Sequence, residues 1–482
     1  MRYSVALSEK INQVLTDHLL QHAEQEDLCF ALYNPATGHD RINGLIKEVI
    51  LPEEGERNLH GNVSFNADYL DRVAALALEK ELGICFLHSH PVPGWQGMSQ
   101  ADIAAEQMLA PRIKALTGLP LLGMTVGTDN SWSARFWIKT HKKHYTLSWC
   151  DSVRVMGKRF RIYYADHIYP APESTEEFTR TVSAWGDAQQ ADLARLKVGI
   201  VGLGSVGGIL AETLMRTGIR QINLIDFDCI KRTNLDRLHG LSRDSIGRLK
   251  VAAYQDFLYG TRIDDHYQLQ SYPFSIIEEE GLRAALDCDI LFSCVDRPLA
   301  RYYLNQIAYA NLIPVVDGGI DASMNKGGTN IGQARWKDHV VCPGRRCLKC
   351  LGQFTLEDVS LEISGNLENI HYIQGLPKDH FIHRGENVFI FSQAAANQMA
   401  LQFLSFFLYP CRMSYGPRET NFSTGTTSHE DDFHCDDGCD THTYEAMGDK
   451  MNQDLIQEHL IASESRATGL QHERVFQKLK TA

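Results

Sequence analysis

Two histidines one residue apart, followed by a serine and an aspartate, are the first group of side chains whose spacing could do chemistry. His88 and His90 leave an apolar strand, and Ser99 and Asp102 follow after a spacer of eight residues. Side chains at positions i and i+2 of an extended segment point to the same side, so the two imidazoles can share a metal. With Asp102 as a third ligand, a zinc ion keeps one position for a water whose pKa falls to about 7. The spacing predicts a catalytic zinc site.

A glycine-rich turn is the second such group. Val198 to Val201 is a short apolar run, and Gly202, Gly204 and Gly207 follow it as G-x-G-x-x-G before a predicted helix from about 208 to 217. Glycines let the backbone turn tightly and approach a phosphate, while the helix start offers free N–H groups to the anion. The turn alone indicates a nucleotide, most often a dinucleotide.

Polar residues after the turn argue against a nicotinamide site. A nicotinamide site would use Asp226 alone, as the ribose ligand at the end of the second strand. It would leave Asp228, Asn234, Arg237, Lys250 and Asp296 without a role. In-line displacement at the α-phosphate of ATP needs positive charge where the phosphate charge grows, so arginines, a lysine and Mg²⁺ fit that reaction.

Two cysteine pairs predict a second metal site. Cys347 and Cys350 form one pair, and Cys435 and Cys439 form another about 85 residues later. Four thiolates close a tetrahedral zinc site and leave no open position, which is typical of a structural zinc.

The series from the glycine turn to Asp296 resembles the ThiF/MoeB/HesA-type adenylyltransferases, the family of the ubiquitin-activating enzymes, over about residues 176–440. The resemblance implies a Rossmann-like domain with a mainly parallel sheet that uses ATP and Mg²⁺. It assigns Asp226 to the ribose and Asp296 to the metal–phosphate site. It also implies a homodimer, in which one subunit lends its Arg180 to the other. The groups around the phosphates would be Asn234, Arg237 and Lys250.

The histidine motif resembles that of the JAB/MPN (JAMM) zinc isopeptidases, over about residues 1–165. The resemblance implies an α/β domain with His88, His90 and Asp102 as ligands and Ser99 steadying the tetrahedral oxyanion. Glu26, which opens the first strand, would be the general acid and base, and Glu48 on the second strand is the alternative.

Transfer of the acyl group to a cysteine stays open. Ubiquitin-type activators commonly carry such a cysteine after the first zinc pair, but no cysteine lies between Leu351 and Pro410 here. Cys342 and Cys411 are the nearest thiols outside the pairs. Neither has an electropositive or helix-start setting that would lower its pKa.

The elements that must position these residues fall into an α/β pattern of two domains. Predicted strands at 26–33, 44–51 and 83–87 and helices at 7–24 and 66–82 carry the zinc motif. A proline- and acid-rich linker is predicted at 166–175. Residues 389–409 predict an apolar helix, 413–445 a loop, and 441–482 a C-terminal helix or tail.

Composition bounds the rest. The chain has 482 residues and a formal net charge of −13, which argues against general nucleic-acid binding. No run of 18 apolar residues predicts a membrane span, and the first residues lack the apolar core of a signal peptide. Twelve unevenly spaced cysteines fit a reducing compartment, so a cytoplasmic protein is expected.

Both resemblances together imply a bifunctional enzyme that trims or releases a ubiquitin-like protein and adenylates its C-terminal glycine. Such fusions resemble those of bacterial ubiquitin-like conjugation systems, some tied to phage defence, and imply a separate E2-like conjugating enzyme. A sulfur-carrier protein is the alternative client. Two further alternatives are a binding scaffold with an inactive protease domain and an NAD-dependent oxidoreductase.

Overall fold

The structure is a computed structural model, and it describes residues 1–481 apart from 23–24, 61, 142–143, 326, 377–386, 432 and 456–457. The chain divides into two compact units. The first unit comprises residues 1–171, 309–312 and 442–454, and the second comprises 172–308, 313–441 and 455–482. The segment expected to be a tail, 441–482, is therefore divided between the two units.

The first unit is built on a nine-stranded sheet in the order β11-β10-β1-β3-β2-β6-β7-β8-β9, with a separate ribbon of β4 and β5. Its strands are β1 Arg2–Ser8, β2 Leu28–Thr37, β3 Arg41–Ile50, β4 Arg57–His60, β5 Asn62–Phe65, β6 Gly83–Ser89, β7 Leu121–Val126, β8 Trp132–His141, β9 His144–Trp149, β10 Ser152–Met156 and β11 Phe160–Tyr164. Its helices up to residue 171 are α1 Glu9–Leu19, α2 Ala67–Glu79 and α3 Gln100–Thr117.

Helices cover both faces of this sheet. Leu15 and Leu19 of α1 pack into one apolar cluster, while α2 and α3 contribute Val73 and Ile113 to another. All seven residues of β6 are buried, as expected for a central strand between two helical layers. The helix predicted from residue 7 begins at Glu9, and the residues before it form strand β1, because a short apolar run does not by itself distinguish a strand from the start of a helix.

The second unit contains an eight-stranded sheet in the order β14-β13-β12-β15-β16-β17-β18-β19. Its strands are β12 Lys197–Val201, β13 Gln221–Ile225, β14 Gln268–Tyr272, β15 Ile290–Ser293, β16 Val315–Met324, β17 Ile331–Val341, β18 Arg418–Asn421 and β19 Thr426–His429. The α-helices after residue 171 are α4 Thr179–Trp185, α5 Asp187–Arg195, α6 Ser205–Arg216, α7 Lys250–Thr261, α8 Glu279–Leu286, α9 Pro298–Ala310, α10 Leu356–Ile363, α11 Ile370–Gly375, α12 Phe389–Leu408, α13 Asp449–Leu455 and α14 Leu460–Thr481. Of these, α13 belongs almost wholly to the first unit.

The second sheet has five parallel strands and three antiparallel strands. Strands β14, β13, β12, β15 and β16 run parallel, whereas β17, β18 and β19 are added in antiparallel fashion. The expected Rossmann-like arrangement is present, and the sheet is mainly parallel with an antiparallel extension at one edge. The loop predicted at 413–445 was wrong in part, because β18 and β19 form a hairpin of polar residues that gives no apolar signal. None of the described helices combines the length and the apolar content that a membrane crossing requires.

A buried ion pair joins α3 to the sheet of the first unit. Arg135 on β8 pairs with Glu106 on α3, and neither side chain is exposed to solvent. The indole N–H of Trp137 donates to Glu106 at 2.7 Å, and Arg135 donates to the Thr125 hydroxyl at 2.6 Å. The charges are thus paired and hydrogen-bonded, as burial requires.

Removing one partner of this pair should strongly destabilise the first unit. We expect Arg135→Leu to lower the free energy of unfolding by about 3–5 kcal/mol, because Glu106 would stay buried without its cation. The measurement is urea unfolding. The matched control is Lys80→Ala, which breaks the half-exposed Lys80–Glu48 pair and should cost about 1 kcal/mol or less. Equal losses in both variants would contradict the role given to the buried pair.

Candidate functional sites

The histidine pair lies at the end of β6, an interior strand of the first unit's sheet. β6 pairs with β2 on one side and β7 on the other, with His88 opposite Leu28 and Thr125. His88 is buried, and its Nε2 lies 3.1 Å from Nε2 of His90 and 3.4 Å from the Thr125 hydroxyl. The two imidazoles therefore converge on one point, as the i, i+2 spacing predicts.

A helix cap brings the aspartate to the same point. Ser99 caps α3, because its hydroxyl accepts from the Asp102 amide at 3.1 Å while its own amide donates to Asp102 Oδ2 at 2.7 Å. The Asp102 oxygens lie 3.6 Å from Nε2 of His88 and 3.4 Å from Nε2 of His90. Burial alone would raise the pKa of Asp102, but hydrogen bonds from the two histidines hold that pKa far below its usual range.

The spacing of these three atoms fits a tetrahedral metal. His88, His90 and Asp102 each offer a ligand atom, and these atoms lie within 4.8 Å of one another. A tetrahedral shell with ligand distances near 2.1 Å separates neighbouring ligands by about 3.4 Å. The observed separations of 3.1, 3.4 and 3.6 Å straddle that value.

The two candidate glutamates lie in different places. Glu26 precedes β2 beside the histidines. The hydrogen bond between His90 and Asp102 is the main cause that raises the pKa of His90, and the negative charge of Glu26 adds to it. Glu48 on β3 lies opposite Leu32, which is four residues beyond Leu28, the β2 residue opposite His88. The Glu48 side chain forms an ion pair with Lys80 at 2.5 Å. The structure brings Glu26, not Glu48, to the histidine cluster.

A buried aspartate that the sequence analysis missed fixes this glutamate. Asp27 is 1% exposed and pairs with Arg57 of β4, and Gln21 donates to its carboxylate at 2.7 Å. The Asp27 amide donates to the Ser89 hydroxyl at 3.0 Å, and the Ser89 amide returns a bond to the Asp27 carbonyl at 2.9 Å. Asp27 thus ties Glu26 to the His-Ser-His segment. One acidic residue beside another gives no sequence signal of burial.

In the second unit, the glycine turn joins β12 to α6. Gly202 has φ of 91°, and a Cβ there would lie 2.6 Å from the carbonyl oxygen of Cys294. A Cβ at Gly204 would meet nothing within 4 Å, and no side chain caps the start of α6 at Ser205. The turn therefore packs tightly at Gly202 and leaves open space and free N–H groups where a phosphate would bind.

Two carboxylates and a lysine lie beside the turn. Asp226 ends β13, and its carboxylate accepts from the Leu203 amide at 2.6 Å. Lys250 opens α7 with its Nζ 2.8 Å from Asp228 and 3.7 Å from Asp226. Burial would lower the pKa of Lys250, but these two carboxylates outweigh it and raise that pKa, so the ammonium stays charged.

The other predicted residues surround this cluster to different degrees. Asp296 follows β15 and is exposed. Its negative charge adds to the effect of Asp226 and Asp228 in raising the pKa of Lys250. The Asn234 side chain accepts from the Lys231 amide at 3.0 Å, and Arg237 donates to the Thr233 carbonyl at 2.8 Å, so both are held within their own loop. Arg180 lies exposed in α4, and among the described residues no ion pair joins it to the cluster.

The four predicted cysteines form one cluster in the second unit. Their sulfur atoms lie within 4.8 Å of one another, and Cys347 Sγ is 3.7 Å from Cys439 Sγ. The Cys347 amide donates to Cys435 Sγ, and the Cys350 amide donates to Cys347 Sγ. Four sulfurs at this spacing match a zinc with Zn–S distances of about 2.3 Å. Of the two candidate cysteines for acyl transfer, Cys342 is fully buried, and the side chain of Cys411 lies outside the described residues.

Comparison with known proteins follows the glycine turn and its carboxylates. Residues 178–360 match the ThiF family. This match lies in the second unit, apart from residues 309–312. Molybdopterin-synthase adenylyltransferase of Escherichia coli (strain K12) is 33% identical over 134 residues, which cover 27% of this chain and 52% of the relative. Adenylyltransferase and sulfurtransferase UBA4 of Meyerozyma guilliermondii is 30% identical over 138 residues, covering 28% of this chain and 32% of the relative.

The chain spans about a third to a half of the length of these curated relatives. Ubiquitin-like modifier-activating enzyme 5 of Dictyostelium discoideum is 32% identical over 125 residues, covering 24% of this chain and 32% of the relative. Among solved structures, E. coli MccB with ATP is 17% identical with a TM-score of 0.42, covering 56% of this chain and 74% of that one.

Each ligand cluster should hold its own metal ion. We expect the purified protein to carry about two zinc ions per chain, with Cys347→Ser and His88→Ala each removing about one. Elemental analysis by mass spectrometry measures this content. Cys288→Ala and His144→Ala, which lie outside both clusters, should keep the wild-type content. Unchanged zinc in Cys347→Ser or in His88→Ala would contradict the corresponding site.

Proposed function

We propose that the second unit adenylates the C-terminal carboxylate of a small protein, either a ubiquitin-like protein or a sulfur carrier. The observation that carries the proposal is Lys250, held charged between Asp226 and Asp228 beside a turn with open space at Gly204. The names of the adenylyltransferase and activating-enzyme relatives support the same reaction class.

In this reaction a client carboxylate oxygen attacks the α-phosphorus of ATP, and the bond to pyrophosphate breaks. A carboxylate is a poor electrophile, and the acyl-adenylate formed has a good leaving group. Lys250 and Arg237 would stabilise the charge that grows on the phosphates, and Asp296 would hold Mg²⁺. Asp226 would bind the ribose. Arg180, exposed on α4, would act on the site of a second copy in a homodimer.

We also propose that the first unit is a JAMM-type zinc peptidase that trims or releases the same client. His88, His90 and Asp102 would hold the ion, which supplies a water of lowered pKa when bound. Glu26 would take the proton of that water and pass it to the leaving amine. The Ser99 hydroxyl accepts a bond from the Asp102 amide, so its own proton stays available to donate to an oxyanion.

The client decides between two pathways. A ubiquitin-like client would go on to a separate E2-like conjugating enzyme, whereas a sulfur carrier would go on to a sulfurtransferase. Full burial of Cys342 favours adenylation without transfer to that thiol.

Lys250 provides the test of adenylation. We expect Lys250→Ala to slow exchange of labelled pyrophosphate into ATP by about 10²–10³-fold in the presence of client, because the phosphates would lose a fixed positive charge. The assay compares ubiquitin-like and sulfur-carrier proteins as clients. The control is Lys231→Ala, at an exposed lysine between Asp228 and Lys250 in the chain, which should exchange at the wild-type rate. Full exchange in a Lys250→Ala, Arg237→Ala double variant would refute the assigned roles.

Glu26 provides the test of the peptidase. We expect Glu26→Gln to keep its zinc but to slow cleavage of a C-terminally extended client by about 10²–10⁴-fold, because the amide cannot carry the proton. Glu48→Gln is the matched control and should cleave normally. Cleavage that persists in both Glu26→Gln and His88→Ala would rule out the zinc mechanism.

A further inference from the structure

The last helix, α14, lies outside the residues that match the ThiF family, and the sequence analysis gave it no role. Its inner face follows helical spacing: Ala462 and Gly469 are buried, and Ser465, Glu473 and Phe476 are partly buried. The rest of its described surface is largely exposed. The helix therefore packs along one narrow stripe.

This inner face of α14 contacts two short segments, one of which contains Asp228 and the other Lys250. These segments, 228–230 and 247–250, are joined by backbone bonds: the Ile230 amide donates to Arg248 and the Lys250 amide donates to Asp228, both at 2.9 Å. Cys229 and Leu249 face each other across them in an antiparallel bridge. We call segments 228–230 and 247–250 together the clip. Because Lys250 is part of the clip, its position depends on the position of both segments.

α14 touches the clip through its smallest residue. A Cβ on Gly469 would lie 2.5 Å from Leu249 Cδ2 and 2.8 Å from Cys229 Sγ. The Cys229 thiol also donates to the Ser465 carbonyl at 3.3 Å. Because Leu249 is buried, a larger residue at Gly469 must displace either the helix or the clip.

A carboxylate of α14 fixes the start of the helix that carries the lysine. Lys250 is the first residue of α7, and Leu249 at its cap position offers no side-chain hydrogen bond. Glu473 accepts from the Leu249 amide at 3.2 Å and from Arg248 at 3.0 Å, and the Arg248 guanidinium lies over the Phe476 ring at 3.8 Å. A negative group at a helix N-terminus is favourable, so Glu473 supplies from outside what α7 lacks.

A second anchor prevents the helix from sliding. Arg466 donates to the Pro273 carbonyl at 3.0 Å and to Glu278 at 2.9 Å, and it lies over the ring of Phe274 at 4.4 Å. These partners follow β14 in the chain. Along α14, Arg466 lies before Gly469 and Glu473 lies after it. The helix is therefore held at both ends of its contact with the clip.

We propose that α14 is a brace that sets the position of Lys250 for the phosphates of ATP, with Gly469 and Glu473 as positioning residues. This inference rests on the adenylation proposed above. Neither residue need touch the nucleotide: they act through Leu249 and Arg248 on the first turn of α7. A displacement of about 1 Å is enough to weaken a positioned charge strongly.

The test is ATP binding to the full-length protein, measured by calorimetry without a client. We expect Glu473→Gln and Gly469→Leu each to raise the dissociation constant of ATP by about tenfold or more, because the ammonium would no longer be held in place. The matched controls are Glu464→Gln and Ala467→Leu, on the exposed face of the same helix, which should bind as wild type does. Thermal unfolding without ATP is measured for every variant.

The outcomes separate the two proposals. Weakened ATP binding in Glu473→Gln with an unchanged unfolding temperature supports the brace, since a merely structural contact would lower stability and leave affinity intact. Wild-type affinity in both Glu473→Gln and Gly469→Leu overturns the brace and leaves adenylation standing. A wild-type protein that does not bind ATP overturns adenylation, and the brace with it.

Discussion

The second unit depends on a close approach of backbone to backbone at the end of β12. Gly202 lies against the carbonyl of Cys294, just beyond β15, at a distance that leaves no room for a side chain. This contact holds the glycine turn beside the strand end that leads to Asp296. Since β12, β13 and β15 are parallel neighbours, their carboxyl ends meet at one edge of the sheet. Asp226 and Asp296 reach the same place for that reason.

The first unit solves a similar problem with different parts. Its two histidines come from one strand, so their convergence is local, but Asp102 must arrive from a helix. The Ser99 cap orients the first turn of α3, and the buried Arg135–Glu106 pair fixes that helix to β8 one turn later. Thr125 links the same pair to His88. A buried network of charged groups thus supports the histidine site. The free-energy cost of removing Arg135 and Glu106 from water is offset because the two charges are paired and hydrogen-bonded.

Both units hold a segment of their candidate site through a second acid, which is buried in one unit and partly buried in the other. Asp27 ties the segment of Glu26 to Ser89, and Glu473 ties the segment of Lys250 to α14. Each acid is paired with an arginine, Arg57 in one case and Arg248 in the other. A carboxylate–guanidinium pair suits this task, because several directed hydrogen bonds fix a loop more firmly than apolar packing does.

The sequence alone determined the residues that sit at strand ends and turns. The His-x-His spacing, the glycine turn, Asp226 and the two cysteine pairs follow from local periodicity and from ligand chemistry, and the structure brings each group together. Only the tertiary structure separated Glu26 from Glu48, because the pairing of β2 with β6 puts Leu28 beside His88, whereas the pairing of β2 with β3 puts Glu48 opposite Leu32. It also supplied the antiparallel strands β17 to β19, Asp27 and the partners of α14. These depend on pairing between residues far apart in the chain, about which local sequence carries no physical information.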